Sequence, residues 1–139
     1  MTPVRARKKL SICLVDDNRL ARCDLANVLD SMNAYIPIVC SNIYELIDEY
    51  LCYTLKGPPN FIISEWYKDF SDPDFLVIFS DSPLATIPIV ILTDTNRAKS
   101  VKPPPEMVII GTLGKPVNRK NLKEMLTDYI KHKKVEEYD

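Results

Sequence analysis

The residues able to do chemistry stand at the ends of short apolar runs. LSICLV (10–15) is followed by Asp16 and Asp17, and NFIIS (60–64) by Glu65; IPIVILT (87–93) closes on the hydroxyl of Thr93, and MVIIGTL (107–113) runs into Gly114, Lys115 and Pro116. In an open parallel sheet ligands bind beyond the carboxyl ends of the strands, so three carboxylates, a hydroxyl and an ammonium would converge on one rim. Such a set can hold a hard divalent cation beside an anionic group, because Mg2+ takes oxygen ligands at about 2.0–2.1 Å and neutralises clustered carboxylates. Phosphoryl chemistry is its natural use. Thr93 would donate to a phosphoryl oxygen, Lys115 would supply the compensating charge, and Pro116 would fix the backbone behind it. Singly, each residue has a plainer role: Asp16 or Asp17 as an acid at a helix N-terminus, Thr93 as a strand-end hydroxyl, Lys115 as a surface lysine. Their joint placement at the correct strand ends outweighs those readings.

The elements that must position these groups follow from periodicity. Five apolar runs read as strands, the four above and YIPIVC (35–40), and they alternate with amphipathic stretches, the pattern of a parallel sheet covered on both faces. Ala21, Leu25, Val28, Leu29 and Met32 gather on one helical stripe. Ile43, Leu46, Ile47, Tyr50 and Leu51 form a second behind Ser41 or Asn42 as cap, and Leu122, Met125, Leu126, Tyr129 and Ile130 form the last. A third helix opens at Ser71-Asp72-Pro73, a capping side chain before a proline at the first helical position. In the fourth crossover, 96–101 could start a helix, but Pro103, Pro104 and Pro105 would end it, so any helix there is short. The expectation is one (βα)5 domain over 10–133, after a basic arm at 1–9 and before a charged tail at 134–139.

Composition narrows the function classes. With 18 basic against 19 acidic residues, the chain carries no general electrostatic signal for nucleic acid or membrane. Only 3 Gly against 11 Pro excludes glycine-built phosphate cradles and dinucleotide fingerprints. Cys13, Cys23, Cys40 and Cys52 show no C-x-x-C spacing and sit in apolar-looking segments, which predicts reduced core thiols. The lone His132 has no companion for a zinc site or a Ser-His-Asp triad. No signal peptide and no apolar span of about 18 residues is visible, so the expectation is a soluble, cytoplasmic protein.

LVDDN (14–18), FIISEW (61–66), IPIVILT (87–93) and GKP (114–116), in this order and spacing, resemble the receiver domains of two-component response regulators. The resemblance covers about 10–133. It implies an α/β flavodoxin-like fold, a doubly wound five-stranded parallel sheet in the order 2-1-3-4-5. It also implies that Asp16 and Asp17, with Glu65 and the backbone carbonyl of Tyr67, are the Mg2+ ligands, that Glu65 holds the phosphoacceptor position, and that Thr93 and Lys115 sense the phosphoryl group. Trp66, Asp94 and Pro116 would line the pocket.

Several residues depart from the family pattern. Receivers have aspartate where this chain has Glu65, and the added methylene moves the carboxylate out by about 1.5 Å, toward where a phosphoryl group on the shorter acid would sit. Glu65 can therefore imitate the phosphorylated state by reaching Lys115 or Thr93 directly. The same displacement spoils in-line transfer, where a misplacement of about 1 Å can cost ~100-fold in rate. Asp94 adds negative charge where most receivers have a small residue, and two charges about 4 Å apart at an effective dielectric of 20 repel by roughly 4 kcal/mol. Thr112 replaces the usual aromatic switch residue, and the loop after Trp66 has Asp69 and Pro73 in place of the customary proline and glycine.

The resulting expectation is an atypical receiver, not an enzyme, that binds a protein independently of phosphorylation. The partner would be a histidine kinase, an output domain or another signalling protein, a homodimer stays open, and Mg2+ binding is about millimolar at best. Two alternatives stand beside it: a working receiver phosphorylated at Glu65 or a nearby acid such as Asp69, and a small metal-dependent hydrolase or ligand-binding protein on the same scaffold.

Overall fold

The computed structural model describes residues 10–52, 58–93 and 104–138. Five parallel strands, β1 (Ile12–Val15), β2 (Val39–Cys40), β3 (Phe61–Glu65), β4 (Ile89–Thr93) and β5 (Ile109–Gly114), form one sheet in the order β2-β1-β3-β4-β5. The sheet reverses direction of growth after β2, and β3 is laid on the other side of β1, which sets the ends of β1 and β3 side by side: Val15 pairs with Ser64, one residue before Asp16 and Glu65. A cluster of groups at this rim follows from topology alone.

Alternation along the strands divides the core in two. Ile12, Leu14, Phe61, Ile63, Val90 and Leu92 face one layer, made by helix α1 (Arg19–Ser31) and the terminal helix α4 (Arg119–Tyr138), through Leu25, Leu29, Leu122 and Leu126. Cys13, Val15, Ile62, Ile89 and Ile91 face the other, made by α2 (Ile43–Cys52), a 3-10 turn (Lys68–Ser71) and α3 (Pro73–Ser80). Each helix starts where a short polar side chain accepts an orphan amide. Asn18 accepts from Ala21 N at 3.0 Å, Asn42 from Glu45 N at 2.9 Å, Asp72 from Asp74 N at 3.0 Å and Asn118 from Asn121 N at 3.2 Å. Of the two candidate caps for α2, Asn42 is used. On β5, Gly111 faces Met125 of α4, and a Cβ there would lie 2.6 Å from Met125 Cε.

Three expectations change. The run at 35–40 predicts a full strand, yet only Val39–Cys40 ladders with β1, after an isolated bridge at Tyr35. Ile12 N donates to Tyr35 O and Leu14 N to Ile38 O, so two residues on β1 span three on its partner. Pro37, with no N–H, sits inside that irregular step. Pro88 likewise precedes β4, which begins at Ile89. The cysteines are not all core thiols: Cys13 and Cys40 are buried, but Cys23 is exposed on α1, off the stripe defined by Ala21, Leu25 and Val28. Finally, α4 continues to Tyr138, across the boundary drawn at 133. A helix in 96–101, and Pro103, lie outside the described residues.

Candidate functional site

Asp16 anchors the rim. It is 1 % exposed, its Oδ1 accepts from Asn18 N at 2.8 Å, and its Oδ2 lies 2.8 Å from Lys115 Nζ. Lys115 Nζ also donates to Glu65 Oε1 at 3.1 Å, so one ammonium joins carboxylates from the ends of β1 and β3. The lysine is placed by backbone: Lys115 N donates to Thr93 O at 3.1 Å, continuing the β4–β5 ladder past Gly114. Because Asn18 caps α1, Asp16 and Asp17 are not required for that task and stay with the rim.

The loops after β1, β2 and β3 are tied by residues the motif does not contain. Arg22 Nη1 donates to the Asp16 carbonyl and to Ser41 Oγ, both at 3.0 Å, and the Tyr67 hydroxyl donates to the Ser41 carbonyl at 2.8 Å. These ties were not visible in the sequence. Arg22 gives a faint signal, a cation beside the apolar stripe of α1, whereas Ser41 is legible only as a possible cap.

Electrostatics follow from burial and crowding. Burial raises the Glu65 pKa, and the Asp17 and Asp16 carboxylates add to it, while the Lys115 ammonium pulls the other way without cancelling the rise. For Lys115, burial works to lower the pKa, but the contacts with Asp16 and Glu65 outweigh it and the net shift is upward. Burial, then the charges of Glu65, Asp17 and Asp16, pushes the Tyr67 phenol up, so it stays a neutral donor to Ser41. Glu65 Oε2 is buried without a hydrogen-bond partner among the described residues.

One carboxylate oxygen from each of Asp16, Asp17 and Glu65 lies within 4.8 Å of the others. Three hard oxygen donors against one ammonium, with Glu65 Oε2 lacking a donor, fit a small divalent cation. The Tyr67 carbonyl, the fourth ligand implied by the family resemblance, accepts from Phe70 N at 3.0 Å within the 3-10 turn.

The other expected site residues divide. Thr93 is buried at the end of β4, beside the backbone of Lys115. Thr112 is half-buried in β5 opposite Ile91. Pro116 lines a cleft of about 440 Å3 with Asp16, Lys115, Ala21, Leu25 and Val117. Trp66 does not line that cleft: its ring packs edge-on to Phe70 at 5.2 Å, in the layer below α2 and α3. Tyr67 packs on the same Phe70 at 5.6 Å. Asp94 lies outside the described residues.

No family model and no curated protein matches the chain. Solved structures do. The N-terminal domain of a response regulator/sensory box/GGDEF three-domain protein from Carboxydothermus hydrogenoformans superposes with a TM-score of 0.67 at 12% identity, over 91% of this chain and 98% of that one. The signal receiver domain of a modulated diguanylate cyclase from Desulfovibrio desulfuricans G20 gives 0.62 at 23% identity, over 91% and 97%. The anti-anti-sigma factor PhyR from Bartonella quintana gives 0.64 at 16% identity over 96% of this chain, which spans about half, 53%, of PhyR. The fold is that of response-regulator receiver domains.

Proposed function

We propose that this chain is an atypical receiver domain of two-component signalling, a cytoplasmic protein-binding module that works without phosphorylation of Glu65 and is not an enzyme. The observation that carries the reading is the clamp of Lys115 on Asp16 at 2.8 Å and on Glu65 at 3.1 Å, a charge-assisted link across the rim made with no phosphoryl group. The longer acid reaches the lysine by itself. The names of the structural neighbours, response regulators and signal receiver domains among them, support the signalling role. Its partner would be a kinase, an output domain or another signalling protein.

Asp16, Asp17 and Glu65 would hold Mg2+, with the Tyr67 carbonyl as the further ligand; when bound, the ion would neutralise the carboxylates and draw an anionic group to the rim. Lys115 already neutralises part of this charge, which supports weak binding. Among the described residues no helix is long and apolar enough to cross a membrane.

The test is incubation with acetyl phosphate and Mg2+ followed by intact mass. The wild-type mass is expected to stay unchanged, and Glu65→Asp is expected to gain labelling. Stoichiometric, hydroxylamine-labile phosphorylation of wild type at Glu65 would establish the working receiver instead.

A further inference from the structure

Helix α3 is too short and too apolar to hide all its side chains. Phe75 and Phe79 fill the core, yet Val77 is 61 % and Ile78 48 % exposed. Asp74, Val77, Ile78 and Asp81 follow one another at i, i+3, i+4 and i+7, so they form a single outward stripe with a carboxylate at each end and two branched apolar residues between. Tyr44 of α2, 37 % exposed, stands edge-on to Phe75 at 5.2 Å and so brings α2 alongside. Scattered apolar residues on a surface need no explanation, but an adjacent pair on a stripe bounded by charge does.

Among the described side chains of α2 and α3 the charges have one sign. Every charged residue of α2 and of the segment 72–81 is acidic: Glu45, Asp48, Glu49, Asp72, Asp74 and Asp81. In a chain of 18 basic and 19 acidic residues six acids without a base set these two stretches apart, whereas α4 on the opposite layer mixes Arg119, Lys120, Lys123 and Lys131 with Glu124 and Asp128. Such a face repels its own kind and attracts a cationic surface with apolar residues of its own.

We infer that the α2–α3 face docks a basic amphipathic segment of a partner protein, whose apolar residues cover Val77 and Ile78 while its Lys or Arg side chains meet Asp48, Asp74 and Asp81. The site lies on helices, outside the carboxylate rim. It does not depend on the state of Glu65, and it stands even if the reading of Glu65 fails.

The probe is a synthetic amphipathic helix of Leu and Lys, fluorescently labelled, with a scrambled peptide of the same composition as control. Wild type is expected to bind the amphipathic peptide more tightly than the scrambled one. The double variant Val77→Ser with Ile78→Ser is expected to bind it about tenfold more weakly. Asp48→Lys with Asp81→Lys is expected to weaken binding and flatten its salt dependence. Unchanged Trp66 emission reports that the core beneath is intact. Equal affinity of wild type and the Ser variant, equal affinity for both peptides, or no binding up to about 1 mM peptide would overturn the proposal. So would a wild-type dimer that the Ser variant dissociates, since a second copy would then cover the face.

Discussion

The two faces of the sheet are packed by different means. Below α2 and α3 the layer is aromatic: Phe70 meets Trp66, Tyr67 and Phe75 at centroid distances of 5.2, 5.6 and 5.4 Å, and Phe75 stacks on Phe79 at 5.9 Å. Below α1 and α4 it is chiefly aliphatic, Leu25, Leu29, Leu122 and Leu126 on Ile and Leu from the strands, with one edge-on aromatic pair, Phe61 and Tyr129. The consequence reaches the rim. The aromatic layer holds the segment after Glu65, because Trp66, Tyr67 and Phe70 are all anchored in it, and Tyr67 extends from there to Ser41. The aliphatic layer instead opens toward the rim as the cleft beside Asp16 and Lys115. One side fixes the loop after Glu65 by ring packing, and the other leaves the lysine side accessible.

Breaking the aromatic layer should have the largest effect. Phe70→Ala is expected to cost about 3–5 kcal/mol in denaturant unfolding and to shift Trp66 emission, whereas Leu126→Ala, at about 2–5 kcal/mol, should leave that emission in place. Next comes the rim. Lys115→Met removes the cation that faces the buried Asp16 and is expected to cost about 1–3 kcal/mol. The Lys115 pKa is raised above 10.5, so its contribution is complete below that value and lost as pH rises through the folded pKa. An alkaline unfolding series should show this step in wild type and not in Lys115→Met. Asn18→Ala, which uncaps α1, is expected to cost about 1 kcal/mol by the same unfolding measurement.

Smaller effects sharpen the contrast. The Glu65 pKa is raised above 4.5, so its contribution is present below that pH and lost as pH rises through the raised value. Glu65→Gln should therefore gain stability relative to wild type on going from about pH 4 to about pH 7, read from paired unfolding curves. Burial pushes Cys13 and Cys40 up to about 12, so a thiol reagent near neutral pH should label Cys23 and spare both until the protein unfolds, as peptide mapping would show.

Much of the fold was legible because its signals are local. Apolar runs of strand length, helical stripes and caps at Asn42 and Asp72 define the alternation, and the alternation places Asp16, Glu65, Thr93 and Lys115 at one rim. The exposure of Cys23 was readable from period alone, because it falls off the stripe of α1. The shortening of β2 was in principle readable at Pro37. The Arg22, Ser41 and Tyr67 ties were not, because they depend on how three loops from distant parts of the chain meet.

The central claim is that Glu65 and Lys115 hold one conformation that needs no phosphoryl group. An amide 1H–15N spectrum recorded before and after acetyl phosphate with Mg2+ tests it directly. The account predicts shifts confined to the neighbourhood of Asp16, Asp17 and Glu65, with Thr93 and the strand β5 unmoved. A second set of peaks extending through Thr93 into β5, appearing with a phosphoryl group on Glu65, would contradict it.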